Sequence, residues 1–346
     1  MVQAISTMSF SIGLRQAISL IRQETARRQV EMQTGAMADA GLTLGSSVGR
    51  VSTLASDISR IESIASANKI SGARLDVTQA SLEAVKAGLE TLTGTLGAGV
   101  QTSQLKALAA ESARNSLAGF ASAFNVSLNG EHVFAGINSS VRPFADNTGL
   151  QAVAEIDAAF FAHFGFAKTD AAAASISSAD FQTFLSTQVE PIFDGAIWGT
   201  AISTASDEEI RGRIEFGTSD SVSVTANETA IRSTFHASSI VAAFIDQPFN
   251  QDVLDNVLGS AVSKALEAQQ QLADLMAKVG MMQSRLTVSS EKMSRLAEIF
   301  EVTVNEQIAV DPYESSLRLN ELLNTLETTI LISQRIQNLS FVKLSR

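Results

Sequence analysis

The sequence predicts a mainly α fold: a long antiparallel coiled-coil-like helical rod built from both chain ends, with a central α+β insertion domain containing a β-hairpin. Three observations predict it. Apolar residues recur every seven positions in two separate stretches, and a seven-residue apolar repeat is the spacing of helices packed as a coiled coil. Both chain ends carry narrow apolar stripes at helical spacing. Between the two repeats, residues 139–250 hold most of the aromatic side chains and the one long alternating pattern.

The first helix is expected over residues 1–34, where Leu14, Ile18 and Ile21 set a rhythm of three and four that Thr25, Arg28 and Met32 continue. Gly35 breaks it. The stretch GAMADAGLTLGSSVG then reads as a turn-rich connector. From residue 46 to 96 a column runs Leu54, Ile61, Asn68, Leu75, Leu82, Leu89, Leu96, with Val51, Ile58, Ala65, Gly72, Gln79 and Lys86 as its companion. Asn68 is a polar break of the kind that fixes register in such a seam. The tract GTLGAGV ends this helix, and a second helix is expected over 102–128, returning antiparallel. Asn129-Gly130 is a turn signal, and EHVFAGI follows as a short strand.

Residues 139–250 read as a separate insertion with a small core of its own. Arg213–Phe216 and Ser221–Thr225 alternate around Gly217–Asp220, which predicts the hairpin. The heptad then returns over 251–304: Leu258, Ala265, Leu272, Val279, Leu286, Met293 and Phe300, with Val262, Met276, Ala297 and Val304 as companions. The last helix starts at Asp311-Pro312, a capping residue followed by proline at the first helical position, with Glu314 at capping-box spacing. Leu319, Leu323, Leu326, Ile330 and Ile336 make its stripe. A stripe that narrow needs a partner, because an isolated helix is marginal in water. The division expected is 1–45 with 305–346 as terminal assembly helices, 46–138 with 251–304 as the rod, and 139–250 as the insertion.

Composition narrows the function. The 346 residues carry a net charge of -11, which argues against nucleic-acid binding, since that needs a basic face. No run approaches the ~18 apolar residues of a membrane span. The N-terminal stretch lacks the basic start and cleavage site of a signal peptide. There is no cysteine, so disulfides and thiolate metal sites are excluded.

The segment NVSLNGEHVFAGINSSVRPF, with Asn129, Gly130, Phe134, Gly136, Pro143 and Phe144, resembles a stretch of the bacterial flagellar hook–filament junction proteins (hook-associated protein 3), relatives of flagellin. DPYESSLRLNELLNTLETTILISQRIQNLSFVKL is similar to the closing helix of that family. The resemblance covers residues 1–144 and 251–346. It implies a structural protein exported unfolded through the flagellar type III apparatus, with an export chaperone. It also implies self-association in a ring between another hook-associated protein and flagellin, outside the cell. The absence of cysteine and the four prolines suit a chain that threads unfolded and refolds outside. Two alternatives stay open: a flagellin forming the filament itself, and a surface-binding protein on a flagellin frame.

No enzymatic constellation competes. His132, His163 and His236 stand apart from one another and from carboxylates at metal-ligand spacing, and read as surface or hairpin histidines. Gly94, Gly97 and Gly99 lack the Lys-Ser/Thr of a phosphate loop. Ser289-x-x-Lys292 and Ser340-x-x-Lys343 fall in expected helices without companion motifs. Asp207-Glu208-Glu209 reads as a solvated helix start. No cofactor or metal is expected.

Overall fold

The computed structural model describes residues 2–97 and 100–344, with side chains described for 10, 12–97 and 100–336. The chain divides into two compact units, Met1–Glu62 with Ser294–Arg346, and Ser63–Met293.

In the first unit, α1 (Val2–Thr34) ends where Gly35 takes φ +67°, a conformation that spares glycine the Cβ clash. The connector contains a short helix, α2 (Ala40–Thr43), capped by Asp39 on Leu42 N at 3.0 Å, and a single 3-10 turn over Gly45–Ser47. Two long helices pass through both units: α3 (Val48–Gly97) and α9 (Gln251–Ile308). The last helix is α10 (Pro312–Leu344). The connectors at the ends of α1 and α9 meet in a one-rung bridge, with Met37 N donating to Ile308 O at 2.8 Å and Val310 N to Gly35 O at 2.9 Å. Asp311 caps α10 by accepting from Tyr313 N at 2.8 Å. Glu314 does not close a capping box; its carboxylate pairs forward with Arg318 at 2.6 Å.

In the second unit, α4 (Ser103–Phe124) starts at a Thr102 cap. It ends earlier than expected because Asn125 leaves the helix to hold Phe144: its Nδ2 donates to Phe144 O at 2.8 Å and its Oδ1 accepts from Phe144 N at 2.9 Å. Ser127–Leu128 (β1) and Glu131–His132 (β2) form a minimal hairpin, with Asn129 and Gly130 at φ +54° and +84° in its two-residue turn. The strand expected over EHVFAGI is therefore two residues long. Val133 N still donates to Val126 O at 3.1 Å, and from Phe134 onward the backbone turns to other partners.

Residues 139–250 contain α5 (Thr148–Phe164), a 3-10 turn (Ala171–Ser175), α6 (Ser178–Phe184), a π-turn (Leu185–Val189) and α7 (Glu190–Asp194). A second π-turn (Trp198–Ile202), strands β3 (Arg211–Glu215) and β4 (Thr218–Ser221), and α8 (Thr229–Phe244) follow. The β3–β4 hairpin turns at Phe216-Gly217, tighter than the four-residue turn expected, and Val222–Thr225 lie beyond it. The segment does not keep a core of its own. Trp198 and Phe235 stack with Phe144 and, through Phe235, with Phe120 and Phe124 of α4, in one cluster that continues to Leu75–Leu96 and Ala261–Leu286. The helix α8 is buried along nearly its whole length. Aromatic residues 139–250 thus complete the core of α3, α4 and α9.

The main columns are buried where the repeat puts them: Ile61, Asn68, Leu75, Leu82, Leu89 and Leu96 on α3, and Ala265, Leu272, Val279, Leu286 and Met293 on α9. Leu54, Leu258 and Phe300, at the column ends, are half-buried. The companion columns differ from expectation. They lie three residues on, at Ile64, Thr78, Val85 and Leu92 and at Ala268, Leu275 and Ser289. The expected companions from Val51 to Lys86 and from Val262 to Val304 are half-buried. A heptad permits either side of a column; the tertiary neighbours choose. Gln283 donates to Asp76 at 2.7 Å and Gln269 to Thr93 at 3.2 Å, so α3 and α9 run antiparallel.

Candidate assembly interface

The terminal helices carry apolar stripes and pack against each other, yet they bury almost nothing. Leu14, Ile18 and Ile21 of α1 are half-buried, as are Leu319, Leu326, Ile330 and Ile336 of α10. Leu323 remains 45% exposed. Further apolar side chains stand in solvent: Phe10, Ile12, Leu20 and Val30 on α1, Leu317, Leu331 and Ile332 on α10. Among the described side chains of these two helices, the fully buried ones are polar, Glu31 and Ser315. Two helices of 33 residues each thus lack a single fully buried aliphatic residue among those described. At roughly 1.5–3 kcal/mol per buried aliphatic side chain, such a pair forgoes most of the stabilisation its stripes could yield.

The polar contacts in this unit fix its connector. The Glu31 carboxylate accepts from Arg28 Nη1 at 2.7 Å and from Ala38 N at 3.3 Å. Arg28 also reaches Glu24 at 2.9 Å. A carboxylate that is 3% exposed thereby holds the turn after α1 in place.

The segment 125–144 is a second convergence point, in the larger unit. Phe134 and Phe144 are fully buried, and Pro143 is buried with them. Phe134 O accepts from Ala226 N at 2.7 Å, Ala135 O from Ser206 N at 3.0 Å, and Pro143 O from Thr204 N at 3.0 Å. Gly136 takes φ +63°, and a Cβ there would lie 2.5 Å from Glu208 O and 2.8 Å from Ser206 O. Only glycine fits both the angle and the space. The exposed Asn129-Gly130 turn has no such neighbour. Through Asn125, Phe134, Ala135 and Pro143 the segment ties the end of α4 to residues 203–208 and 225–226.

Ion pairs then bind the hairpin region to α9. Lys278 bridges Glu209 at 2.7 Å and Glu228 at 2.9 Å; Arg285 meets Asp220 at 2.8 Å and Lys292 meets Glu215 at 2.5 Å. Burial opposes ionisation of Glu209, but hydrogen bonds from Lys278 and Ser221 outweigh it and hold its carboxyl below the ordinary value. Asp207-Glu208-Glu209 is therefore not a solvated helix start. Asp207 accepts from Asn227 at 2.8 Å, and Glu208 O from Ile137 N at 3.1 Å. Sequence reasoning missed these pairings because they join residues 20 to 77 apart with no local pattern.

The remaining chemical candidates resolve into structural roles. Ser289 is buried, with Oγ donating to Ile214 O at 2.5 Å, and Lys292 is engaged with Glu215. The side chains of Ser340 and Lys343 lie outside those described, as does Gly99; Gly94 and Gly97 belong to α3. His132 Nδ1 sits 2.9 Å from Asn125 O, and His163 rests edge-on against Phe164. His236 is not a surface residue: it is 4% exposed and stacks on Phe193 at 4.6 Å. Burial, with Lys264 nearby, lowers its pKa to about 4. Among the described residues no cluster could hold a metal ion, and no helix is long and apolar enough to cross a membrane.

No curated protein matches the chain in sequence. A solved structure assigned as a flagellar hook-associated protein of Vibrio parahaemolyticus is similar in fold, with a TM-score of 0.53 and 10% identity, over 76% of this chain and 97% of that one. Residues 5–139 match the family described as the bacterial flagellin N-terminal helical region, which spans α1, α3, α4 and the β1–β2 hairpin of this chain.

Proposed function

We infer that the chain is a structural subunit of the bacterial flagellum and acts at the hook–filament junction. The observation that carries this is the terminal helix pair, whose 33-residue helices leave their apolar stripes without a fully buried aliphatic side chain among those described. A surface of that kind is completed by neighbouring copies, as amphipathic helices are by a groove. Residues 1–45 and 305–346 serve as the assembly segment through Leu14, Ile18, Ile21, Leu319, Leu323, Leu326, Ile330 and Ile336. Residues 46–138 and 251–304 form the supporting helical body, and 139–250 the variable part. The flagellin N-terminal match and the hook-associated fold support this reading. Its partners are further copies in a ring, a neighbouring hook-associated protein, flagellin, and a chaperone before type III export. The site of action is extracellular.

A strain lacking the protein tests it. The expected result is hooks without filaments, with flagellin monomers released into the medium. A second reading, a flagellin of the filament itself, is favoured by the family that residues 5–139 match. Hooks that carry normal filaments in the deletion strain would exclude the junction role. Filaments lost without release of another flagellin would favour the second reading.

A further inference from the structure

The larger unit contains a cavity of about 180 Å³ that none of the structural roles above uses. Its walls come from α6 and the following π-turn, from α8 and from α9. Leu185 and Ile240 are its apolar sides. Its polar groups are Gln182, Ser186, Glu190, His236, Ser260 and Lys264.

Two of these cancel. Lys264 Nζ meets Glu190 Oε1 at 2.9 Å, and also Glu267 Oε2, outside the lining, at 3.2 Å; the hydrogen bond from Lys264 holds the Glu190 carboxyl below its ordinary value. The lining itself is therefore neutral and offers a free ion no unpaired charge. Three others are uncommitted: among the described residues, the side chains of buried His236, half-buried Ser260 and exposed Gln182 at the rim have no protein hydrogen-bond partner. His236 is 4% exposed, so that what it presents to solvent is its contribution to this wall. Its ring is fixed by the stack on Phe193. The imidazole has no protein partner, so its nitrogens are satisfied by whatever occupies the cavity, water or a ligand. A neutral imidazole offers one donor and one acceptor, an amide two donors and an acceptor, and a hydroxyl both. Ser186 sits in a π-turn (Leu185–Val189), a wide helical geometry found often at binding sites.

We propose that this cavity binds a small neutral polyhydroxylated molecule, a single sugar ring, through Gln182, His236 and Ser260. Paired donors and acceptors on a neutral wall match hydroxyl groups, which both give and accept. At about 30 Å³ per liquid water, the cavity holds on the order of six waters. That is room for one ring and not for a chain of them. The site stands apart from the flagellar reading, and either can fail without the other.

The test is a titration of the full-length protein with glucose, galactose and mannose, each to ~50 mM, following the side-chain proton and carbon resonances of its three histidines. The expected result is a saturable shift of the His236 resonance with at least one hexose, and none with sodium acetate or methylammonium chloride. Gln182→Leu and Ser260→Ala remove one partner each without opening the core, and each weakens binding by roughly five- to tenfold. No saturable shift with any of the three sugars would overturn the proposal. So would a larger shift with acetate or methylammonium, or affinity unchanged in both variants.

Discussion

Ile214 is where the β3–β4 hairpin meets both long helices, and its carbonyl gives a quantitative test of how they are held. Arg213 pairs with Ser219 and Glu215 with Thr218, so Ile214 is the extra residue of a bulge, without a partner in the ladder. Its carbonyl accepts instead from Asn68 Nδ2 of α3 at 3.0 Å and from Ser289 Oγ of α9 at 2.5 Å. All three residues are at most 6% exposed. Ser289→Ala removes one net hydrogen bond, about 1 kcal/mol. Asn68→Leu removes the other but adds an apolar side chain to the heptad seam, so its net effect stays within ~1 kcal/mol of zero. In either single variant the carbonyl keeps one donor. In the double variant it is buried with none, and an orphaned group costs ~1–3 kcal/mol beyond the sum of the singles. For a unit of that size this is an extra ~2–12 °C in Tm. Trp198, the one tryptophan of the chain, is buried within residues 63–293, so its fluorescence reports unfolding of that unit. Additivity within ~0.5 kcal/mol would refute the shared-carbonyl argument.

Three further outcomes are expected. Gly136→Ala lowers Tm substantially, since it combines a left-handed angle costing ~1–2 kcal/mol with the contact at 2.5 Å. Gly130→Ala, with φ +84° and open space, loses only the ~1–2 kcal/mol of the angle, and equal losses in thermal melts would contradict this. Stability falls in acid because of His236. Its pKa is about 4 when folded against 6.5 ordinarily, so above pH 6.5 neither state binds the proton and stability is full. Between pH 6.5 and 4 only the unfolded chain takes it up, and up to roughly 3 kcal/mol is lost by pH 4. Urea titrations of His236→Phe over that range should show a flatter slope, and an unchanged slope would exclude this histidine as the cause. Finally, Leu323→Ala and Leu331→Ala, 45% and 52% exposed, leave the Trp198 melt within ~0.5 kcal/mol of the parent while reducing self-association measured by sedimentation. Undiminished association would remove these positions from the assembly surface.

The long helices were legible in the sequence because their cause is local and repeated. One column of Leu75, Leu82 and Leu89, or of Leu272, Val279 and Leu286, names a face without reference to anything else. The second column was not legible, because a residue three ahead and one four ahead are equally near a helical face. The choice is made by what lies alongside: at Gly88, an added Cβ would come 2.9 Å from the Phe120 ring of α4. The same limit explains residues 139–250. Their composition differs from the flanks, which suggested independence, but the aromatic side chains are large precisely where a core shared with α4 and α9 must be filled. Phe144, Trp198 and Phe235 have no periodicity that announces Phe120 and Phe124 as their neighbours. His236 was misjudged for a related reason. Histidine is rarely a core residue by composition, and only the neighbours Phe193 and Lys264, 43 residues before it and 28 after, make its burial intelligible. The terminal helices invert the case. Their stripes were as clear as those of α3 and α9, yet Leu14, Ile18 and Leu326 are only half-buried. A pattern states that a face is apolar. Whether one chain suffices to cover it depends on how many helices can reach it, and two helices cover less of each other than the several elements that surround α8.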